Sequence, residues 1–184
     1  PTGNYGDVYA GYIAKKIGLP VNKFIVATNQ NDILHRAISK GEYNIEKVAE
    51  TISPSMDIQL ASNFERLIYD LNNHDDEKTT KAMKDIKENG KYLISEENLN
   101  KINNHFLSSS MNENEVLNII KKVHAEFDMI LDPHTAIGYG AFDKVKVEGN
   151  NIVLATAHPC KFPDAVVKAI NIKSELPNEL SFIL

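Results

Sequence analysis

Residues 3–41, GNYGDVYAGYIAKKIGLPVNKFIVATNQNDILHRAISKG, decide the class of fold. The segment from Asp7 to Gly18 carries apolar side chains at helical spacing, and Asp is a residue type that caps helix N-termini. Residues 24–27 (FIVA) form a short apolar run, typical of a buried strand in a parallel sheet. A second helical pattern follows and ends near Gly41. This succession of helix, strand and helix predicts an α/β fold.

Two glycines, Gly3 and Gly6, lie immediately before the first predicted helix. The first turn of a helix presents free N–H groups and the positive end of the helix dipole, and glycine lets the backbone approach a ligand closely. The pattern therefore favours a phosphate or carboxylate site, although a tight turn that only packs the helix on a sheet has the same sequence. Neither the dinucleotide fingerprint G-x-G-x-x-G nor a P-loop is present.

The composition limits the function classes. The chain has 184 residues, enough for one domain or a domain with an insertion, and 42% of them are hydrophobic. The formal charge of −5 gives no support for nucleic-acid binding. The single cysteine, Cys160, excludes an intrachain disulfide and favours a reducing, cytoplasmic compartment. No apolar run approaches the roughly 20 residues that span a bilayer, so no membrane partner is expected.

The glycine loop stands unusually close to the start of the chain. Such a loop normally follows a strand that fixes its position, and no strand precedes Gly3. We therefore expect the chain to be the later part of a longer protein, or a chain shortened at this point.

The middle of the chain, residues 45–128, is predicted to form a mostly helical insertion or small lobe between an α/β segment at 1–44 and another at 129–184. Its charged side chains are typical of a solvated surface. The predicted helices are one over 64–71 that Ser62 and Glu65 can cap, a charged helix that ends at Gly90, a helix from Ser95 that includes Phe106, and a helix capped by Asn112 and Glu115.

The α/β pattern resumes in residues 129–184. Residues 129–131 and 152–155 are predicted strands, Asp132 and Pro133 begin a helix between them, and a C-terminal helix completes the segment. Ligands of open α/β sheets gather outside the carboxyl ends of the strands. Thr156, directly after the second strand, is therefore a candidate to meet the ligand of the glycine loop.

Six motifs in order then carry a resemblance to a known family. They are PTGNYGD, ATNQND, SPSMDI, SNFERL, DPHTAIG and ATAHPCKF. In this order they resemble the second half of the threonine synthases, which are pyridoxal-phosphate (PLP) enzymes of the fold-type II, tryptophan-synthase-β-like group. The resemblance covers residues 1 to about 170. It implies part of a fold-type II parallel sheet with flanking helices, in which residues 1–44 contribute the phosphate loop to the large domain.

The resemblance implies conversion of O-phosphohomoserine and water to L-threonine and phosphate, with PLP as cofactor. By the same resemblance, the PLP phosphate is bound by Gly3, Asn4, Tyr5, Gly6 and Asp7. Thr156 matches the residue that faces the pyridine nitrogen, to which a neutral hydroxyl can donate without forcing protonation. The family more often has Phe at position 5. The exchange is expected to matter little if the ring packs and its hydroxyl reaches water or a polar partner.

The resemblance also implies that the lysine that binds the cofactor covalently lies upstream of this chain, so no catalytic residue is assigned and the chain alone is expected to be inactive. Lys161 is a candidate for binding the substrate phosphate, or is a surface lysine. No metal site is predicted, and the oligomeric state stays open.

Several conspicuous residues keep two interpretations. His134 and His158 are expected in structural or supporting roles, Cys160 is expected to be a small buried residue, and Asn29, Asn31 and Asp32 can line the cleft or cap a helix. The SPSMD segment at 53–57 suggests no chemistry from sequence alone. Two rivals remain for the function: another fold-type II enzyme that acts on a hydroxy or phosphorylated amino acid, and a non-enzymatic phosphate-binding α/β module.

Overall fold

A computed structural model describes residues 1–178. The helices within that range are α1 (Gly6–Lys16), α2 (Ile33–Lys40), α3 (Phe64–Leu71), α4 (Asp76–Asn89), α5 (Glu96–Asn103), α6 (Glu113–Phe127), α7 (Pro133–Val145) and α8 (Pro163–Ile170). The strands are β1 (Phe24–Thr28), β2 (Glu42–Asn44), β3 (Lys91–Leu93) and β4 (Phe106–Ser110), with short 3-10 helices at Pro54–Met56 and Pro159–Lys161. The end of the predicted 129–184 segment, residues 179–184, lies outside the described residues.

Strand β1 is the centre of the fold. It pairs in parallel with β4, in a register that places Phe24 opposite Phe106 and Thr28 opposite Ser110. The predicted parallel strand at 24–27 is therefore confirmed. A second, antiparallel pair joins β2 to β3.

The parallel pair is covered on both faces. Val26 belongs to a first apolar cluster with residues of α1, α2 and α3, whereas the next residue, Ala27, belongs to a second cluster with residues of α6 and α7. This alternation follows from the two-residue period of a strand. The result is a three-layer α/β arrangement with helices on either side of the sheet, as the sequence predicts.

Several predicted helix ends are confirmed. The Asn112 side chain accepts from the Glu115 N–H at the start of α6, and the Glu115 carboxylate accepts from the Asn112 N–H, which completes a capping box. Asp132 caps α7 with Pro133 as its first residue, and α4 ends at Gly90.

Other local predictions are wrong. Helix α3 begins after Asn63 without a side-chain cap, so Ser62 and Glu65 form no capping box. Phe106 belongs to β4 and not to the helix before it, because it pairs with Phe24 of β1 in the parallel sheet. Residues 129–131 and 152–155 are irregular, and Ile152 is 86% exposed, because neither segment has a strand partner within residues 1–178.

Strand β4 lies inside the segment 45–128 that was predicted as a helical insertion, yet it shares a sheet with β1. The division of the chain at 44 and 128 stays a prediction. In the part of the chain that the structure covers, no helix is long and apolar enough to cross a bilayer.

Candidate functional site: a glycine loop at a helix N-terminus

The loop before α1 is held by an aromatic anchor. Tyr5 adopts a left-handed backbone conformation with φ 70°, and its ring is fully buried 5.3 Å from that of Phe64 and 6.0 Å from that of Phe106. Helix α1 then begins at Gly6, with Tyr5 as its N-cap residue. The prediction that Asp7 caps this helix is therefore wrong, because the chain turns at the buried Tyr5, two residues earlier.

The hydroxyl of Tyr5 has no partner in the described structure, and its oxygen is inaccessible to solvent. It reaches neither water nor a polar group, so the condition under which Tyr in place of Phe matters little is not met. Burial raises the pKa of Tyr5 well above its usual range, so the hydroxyl stays protonated.

Hydrogen bonds fix the loop from inside and outside. The Tyr5 N–H donates to Thr2 Oγ1 at 3.1 Å, and the Gly6 N–H donates to Asn4 Oδ1 at 2.9 Å. The Thr2 N–H donates to the carbonyl of Ala27 near the end of β1, at 3.1 Å. The carbonyl of Asn4 accepts from the Asn63 N–H before α3, at 3.0 Å. The loop is thus attached to the sheet and to a neighbouring helix.

Four N–H groups of this region remain free. The amides of Gly3, Asn4, Asp7 and Val8 donate to no acceptor among residues 1–178. They surround the N-terminus of an 11-residue helix, where the helix dipole adds a partial positive charge. Four free donors at such a terminus suit a phosphate or carboxylate group.

Both loop glycines lie in close surroundings. A Cβ atom at Gly3 would collide with the carbonyl oxygen of Ser55. At Gly6 it would lie 3.0 Å from Asn4 Oδ1 and 3.3 Å from Asn63 Nδ2. A side chain at Gly3 would have to displace the loop or the Ser55 carbonyl, whereas one at Gly6 would crowd the side chains of Asn4 and Asn63.

A chain of hydrogen bonds leads from Ser55 toward Thr156. The Ser55 N–H donates to His134 Nε2 at 3.3 Å, so the proton of this imidazole is on Nδ1, which donates to Asp132 Oδ1 at 2.9 Å. The Thr135 hydroxyl donates to the other oxygen of Asp132 and accepts from the Thr156 N–H, the latter at 3.2 Å. His134 therefore has the supporting role that the sequence analysis expected.

Asp132 is the charged centre of that chain. Its side chain is fully buried. Burial opposes ionisation, but hydrogen bonds from His134 and Thr135 outweigh it and hold the pKa of the Asp132 carboxyl below its usual range. The carboxylate therefore orients both neighbouring side chains.

The remaining predicted site residues, Thr156 and Lys161, form no hydrogen bond or ion pair with the loop among residues 1–178. Thr156 is exposed, and only its backbone bonds to Thr135. Lys161 is exposed with its ammonium 6.0 Å from the ring of Phe162, and no described contact joins it to the loop. The roles assigned to Thr156 and Lys161 stay predictions.

Two conspicuous residues near the C-terminal helix have local surroundings only. His158 accepts from the Cys160 N–H and caps a 3-10 turn. Cys160 is half-buried, not fully buried as expected. Within residues 1–178, no three His, Cys, Asp or Glu side chains come together in a way that suits a metal ion.

The sequence analysis missed a polar cluster at the carboxyl end of β1. Asn29 and Asn31 are buried and bond to the 49–57 segment, whereas Asp32 binds Arg36 and caps no helix through its side chain. The signal was present, because four amide or carboxyl residues follow a buried strand directly in TNQND.

The strand pair, its covering helices and the free amides of the loop define an α/β protein with a glycine loop at a helix N-terminus whose free donors suit an anion. A family model described as "Threonine synthase, C-terminal" matches residues 135–184. Threonine synthase from Pseudomonas aeruginosa is 40% identical over 171 residues, which cover 92% of this chain and 36% of that protein. Threonine synthase from Saccharomyces cerevisiae is 40% identical over 206 residues, covering 98% of this chain and 40% of that protein.

Solved structures agree. A crystal structure titled as PLP-bound threonine synthase from Brucella melitensis has a TM-score of 0.94 and 44% identity, and covers 98% of this chain and 39% of that one. Threonine synthase from yeast gives a TM-score of 0.87 at 40% identity, with the same shares covered. The chain belongs to the threonine synthase family. It spans 36 to 40% of the length of these relatives.

Proposed function

We propose that the protein containing this chain is a threonine synthase, a PLP-dependent lyase that converts O-phosphohomoserine and water to L-threonine and phosphate. The observation that carries the proposal is the set of four free amides at the N-terminus of α1. The names of the relatives and the PLP-bound title of the Brucella melitensis structure support it.

The loop fits the phosphate of PLP. A phosphate dianion requires several donors, and Gly3, Asn4, Asp7 and Val8 each offer a free N–H. Tyr5 and Gly6 serve in another way, because their amides are already used inside the loop. Tyr5 holds the loop to the core through its ring, and the missing side chain of Gly6 keeps the approach open.

The rest of the proposed site concerns the ring and the substrate. PLP supplies an electron sink when bound, and the protein orients it. We assign the Thr156 hydroxyl to the pyridine nitrogen, since Thr135 holds the backbone at this position. We assign Lys161 to the substrate phosphate because its ammonium is exposed and pairs with no carboxylate among residues 1–178. We also place the protein in the cytoplasm, on the strength of its low cysteine content.

The decisive experiment uses the full-length protein, in which the lysine that binds PLP covalently is expected. The purified enzyme is mixed with O-phosphohomoserine, and threonine and phosphate are measured together. Equal yields support the proposal. No product from a protein that binds PLP would favour a related fold-type II enzyme with another hydroxy or phosphorylated amino acid as substrate.

A variant pair tests the loop separately. Gly6→Val is expected to lower PLP occupancy severalfold, because the side chain crowds Asn4 and Asn63. Gly90→Val is the control, since φ there is 65° and no atom lies within 4 Å of the added Cβ. It strains the backbone without touching the loop. Full PLP occupancy in Gly6→Val would refute the loop assignment. Absence of PLP from the wild-type protein would favour a non-enzymatic phosphate-binding module.

A further inference from the structure

The carboxylate of Asp57 collects four hydrogen bonds. Its Oδ1 accepts from Asn29 Nδ2 at 2.7 Å, from Asn31 Nδ2 at 2.9 Å and from the Thr51 hydroxyl at 2.6 Å. Its Oδ2 accepts from the Thr51 N–H at 2.8 Å. Asp57 forms no ion pair with any lysine or arginine within residues 1–178, so neutral donors alone hold the charge.

The donors belong to two parts of the chain. Asn29 and Asn31 follow β1 and are 2% and 4% exposed. Asn29 also donates to the Ser53 hydroxyl at 2.9 Å, and Asn31 bonds to both the N–H and the carbonyl of Ala49 at 2.8 Å. The network thus fastens residues 49–57, which include the unexplained SPSMD motif, to the carboxyl end of the sheet.

This fastened segment forms the wall behind the phosphate loop. The carbonyl oxygen of Ser55 occupies the space that a Cβ at Gly3 would need. On the other side of the same residue, the Ser55 N–H donates to His134. Ser55 is therefore fixed through its N–H, with its carbonyl oxygen placed close beside Gly3.

We propose that Asp57 is a positioning residue for the phosphate loop, an inference that rests on the proposed PLP function. By fixing residues 53–57, Asp57 sets the place of Gly3 and hence the direction of the free amides of Gly3 and Asn4. Asp57 touches neither cofactor nor substrate, and its effect passes through the Ser55 carbonyl.

The chemistry of the network requires a carboxylate. An asparagine at position 57 has one acceptor and one NH₂ group. In either orientation that NH₂ group faces an existing donor, either the Thr51 N–H or the cluster of amide and hydroxyl donors. The Asp57→Asn change keeps the size of the side chain, removes its charge and breaks at least one contact.

The test measures PLP affinity of the full-length apoprotein by absorbance and fluorescence titration. Asp57→Asn is expected to raise the Kd for PLP about tenfold. The control is Asp70→Asn near the end of α3, which weakens the bonds that Asp70 accepts from Lys16 at 2.9 Å and from His74 at 2.8 Å. It is expected to leave the Kd for PLP within twofold of wild type. Thr51→Val, an isosteric change, removes one hydroxyl from the network and should raise the Kd about threefold.

A double mutant separates positioning from general stability. Gly3→Ala alone should weaken PLP binding, because the new methyl group meets the Ser55 carbonyl. In Gly3→Ala/Asp57→Asn the released wall can retreat, so the combined loss should be smaller than the product of the two single losses.

The outcomes are distinct. If the loss of PLP affinity in the double mutant equals the product of the two single losses, Asp57 acts only on stability and the inference is overturned. Wild-type affinity in Thr51→Val or Asp57→Asn would also overturn it. A wild-type protein that binds no PLP would refute the proposed function itself, and the positioning role with it. If Asp57→Asn fails to fold, Thr51→Val decides.

Discussion

Two buried tyrosines that both pack against Phe64 make a matched test of what a hydroxyl does in this core. Tyr5 packs edge-on against Phe64 at 5.3 Å and Tyr43 stacks on it at 5.1 Å, and the two are 0% and 1% exposed. Their hydroxyls differ. Tyr43 Oη accepts from the Ala61 N–H at 2.8 Å, whereas Tyr5 Oη has no partner.

The two Tyr→Phe changes should therefore have opposite signs. A buried polar group without a partner costs about 1–3 kcal/mol. Removing the Tyr5 oxygen recovers this penalty and loses a few dispersion contacts of about 0.1–0.2 kcal/mol each. We expect Tyr5→Phe to stabilise the protein by about 1–2 kcal/mol. Tyr43→Phe leaves the Ala61 N–H without an acceptor and should destabilise by about 1–3 kcal/mol.

The assay is urea unfolding of the full-length apoprotein, with the midpoints of the two variants and wild type compared at equal protein concentration. Because no part of Tyr5 is exposed, segments outside this chain cannot reach its hydroxyl and change the comparison. A Tyr5→Phe variant that is destabilised as much as Tyr43→Phe would refute the reasoning, since it would mean that the Tyr5 hydroxyl makes a favourable bond.

Three further variants test other parts of the fold. Asp132→Asn should lower the free energy of unfolding by about 2 kcal/mol at pH 7 and by less as the pH falls below about 4. The reason is that a carboxyl with a lowered pKa stabilises the fold only while it is ionised. Urea midpoints at pH 7 and pH 3 measure the difference. Gly138→Ala should cost about 1–3 kcal/mol, since its Cβ would lie 3.0 Å from the Pro1 nitrogen and 3.1 Å from Val153 Cγ1; an unchanged melting temperature would contradict this. Thr156→Ala should retain PLP but lower turnover, and unchanged kcat would remove Thr156 from the site.

Local signals predicted much of the fold. The Asn112–Glu115 capping box and the Asp132–Pro133 helix start depend on residues within one turn, and both are present in the structure. Strand β1 was predictable because a strand buried on both faces is apolar throughout. The glycine loop could also be located from a local signal, since both glycines and the helix are adjacent in sequence.

Non-local contacts account for the rest. Phe106 continues the helical spacing of the residues before it, and only its pairing with Phe24, which is distant in sequence, makes it part of β4. The residues that surround Asp57 come from two separate segments, so no single window of sequence shows the network. The left-handed conformation of Tyr5 likewise depends on burial of its ring against Phe64 and Phe106.

The position of Tyr5 joins the core to the proposed anion site. Its ring is part of the first apolar cluster, and its backbone is part of the loop that we assign to PLP. A substitution that loosens this cluster should therefore first appear as a defect in cofactor retention. The stability of such a variant should rise with the concentration of PLP, because a ligand at 100 times its Kd stabilises the folded state by about 2.7 kcal/mol. Damage of that size to the core should then be repaired by excess PLP in the growth medium.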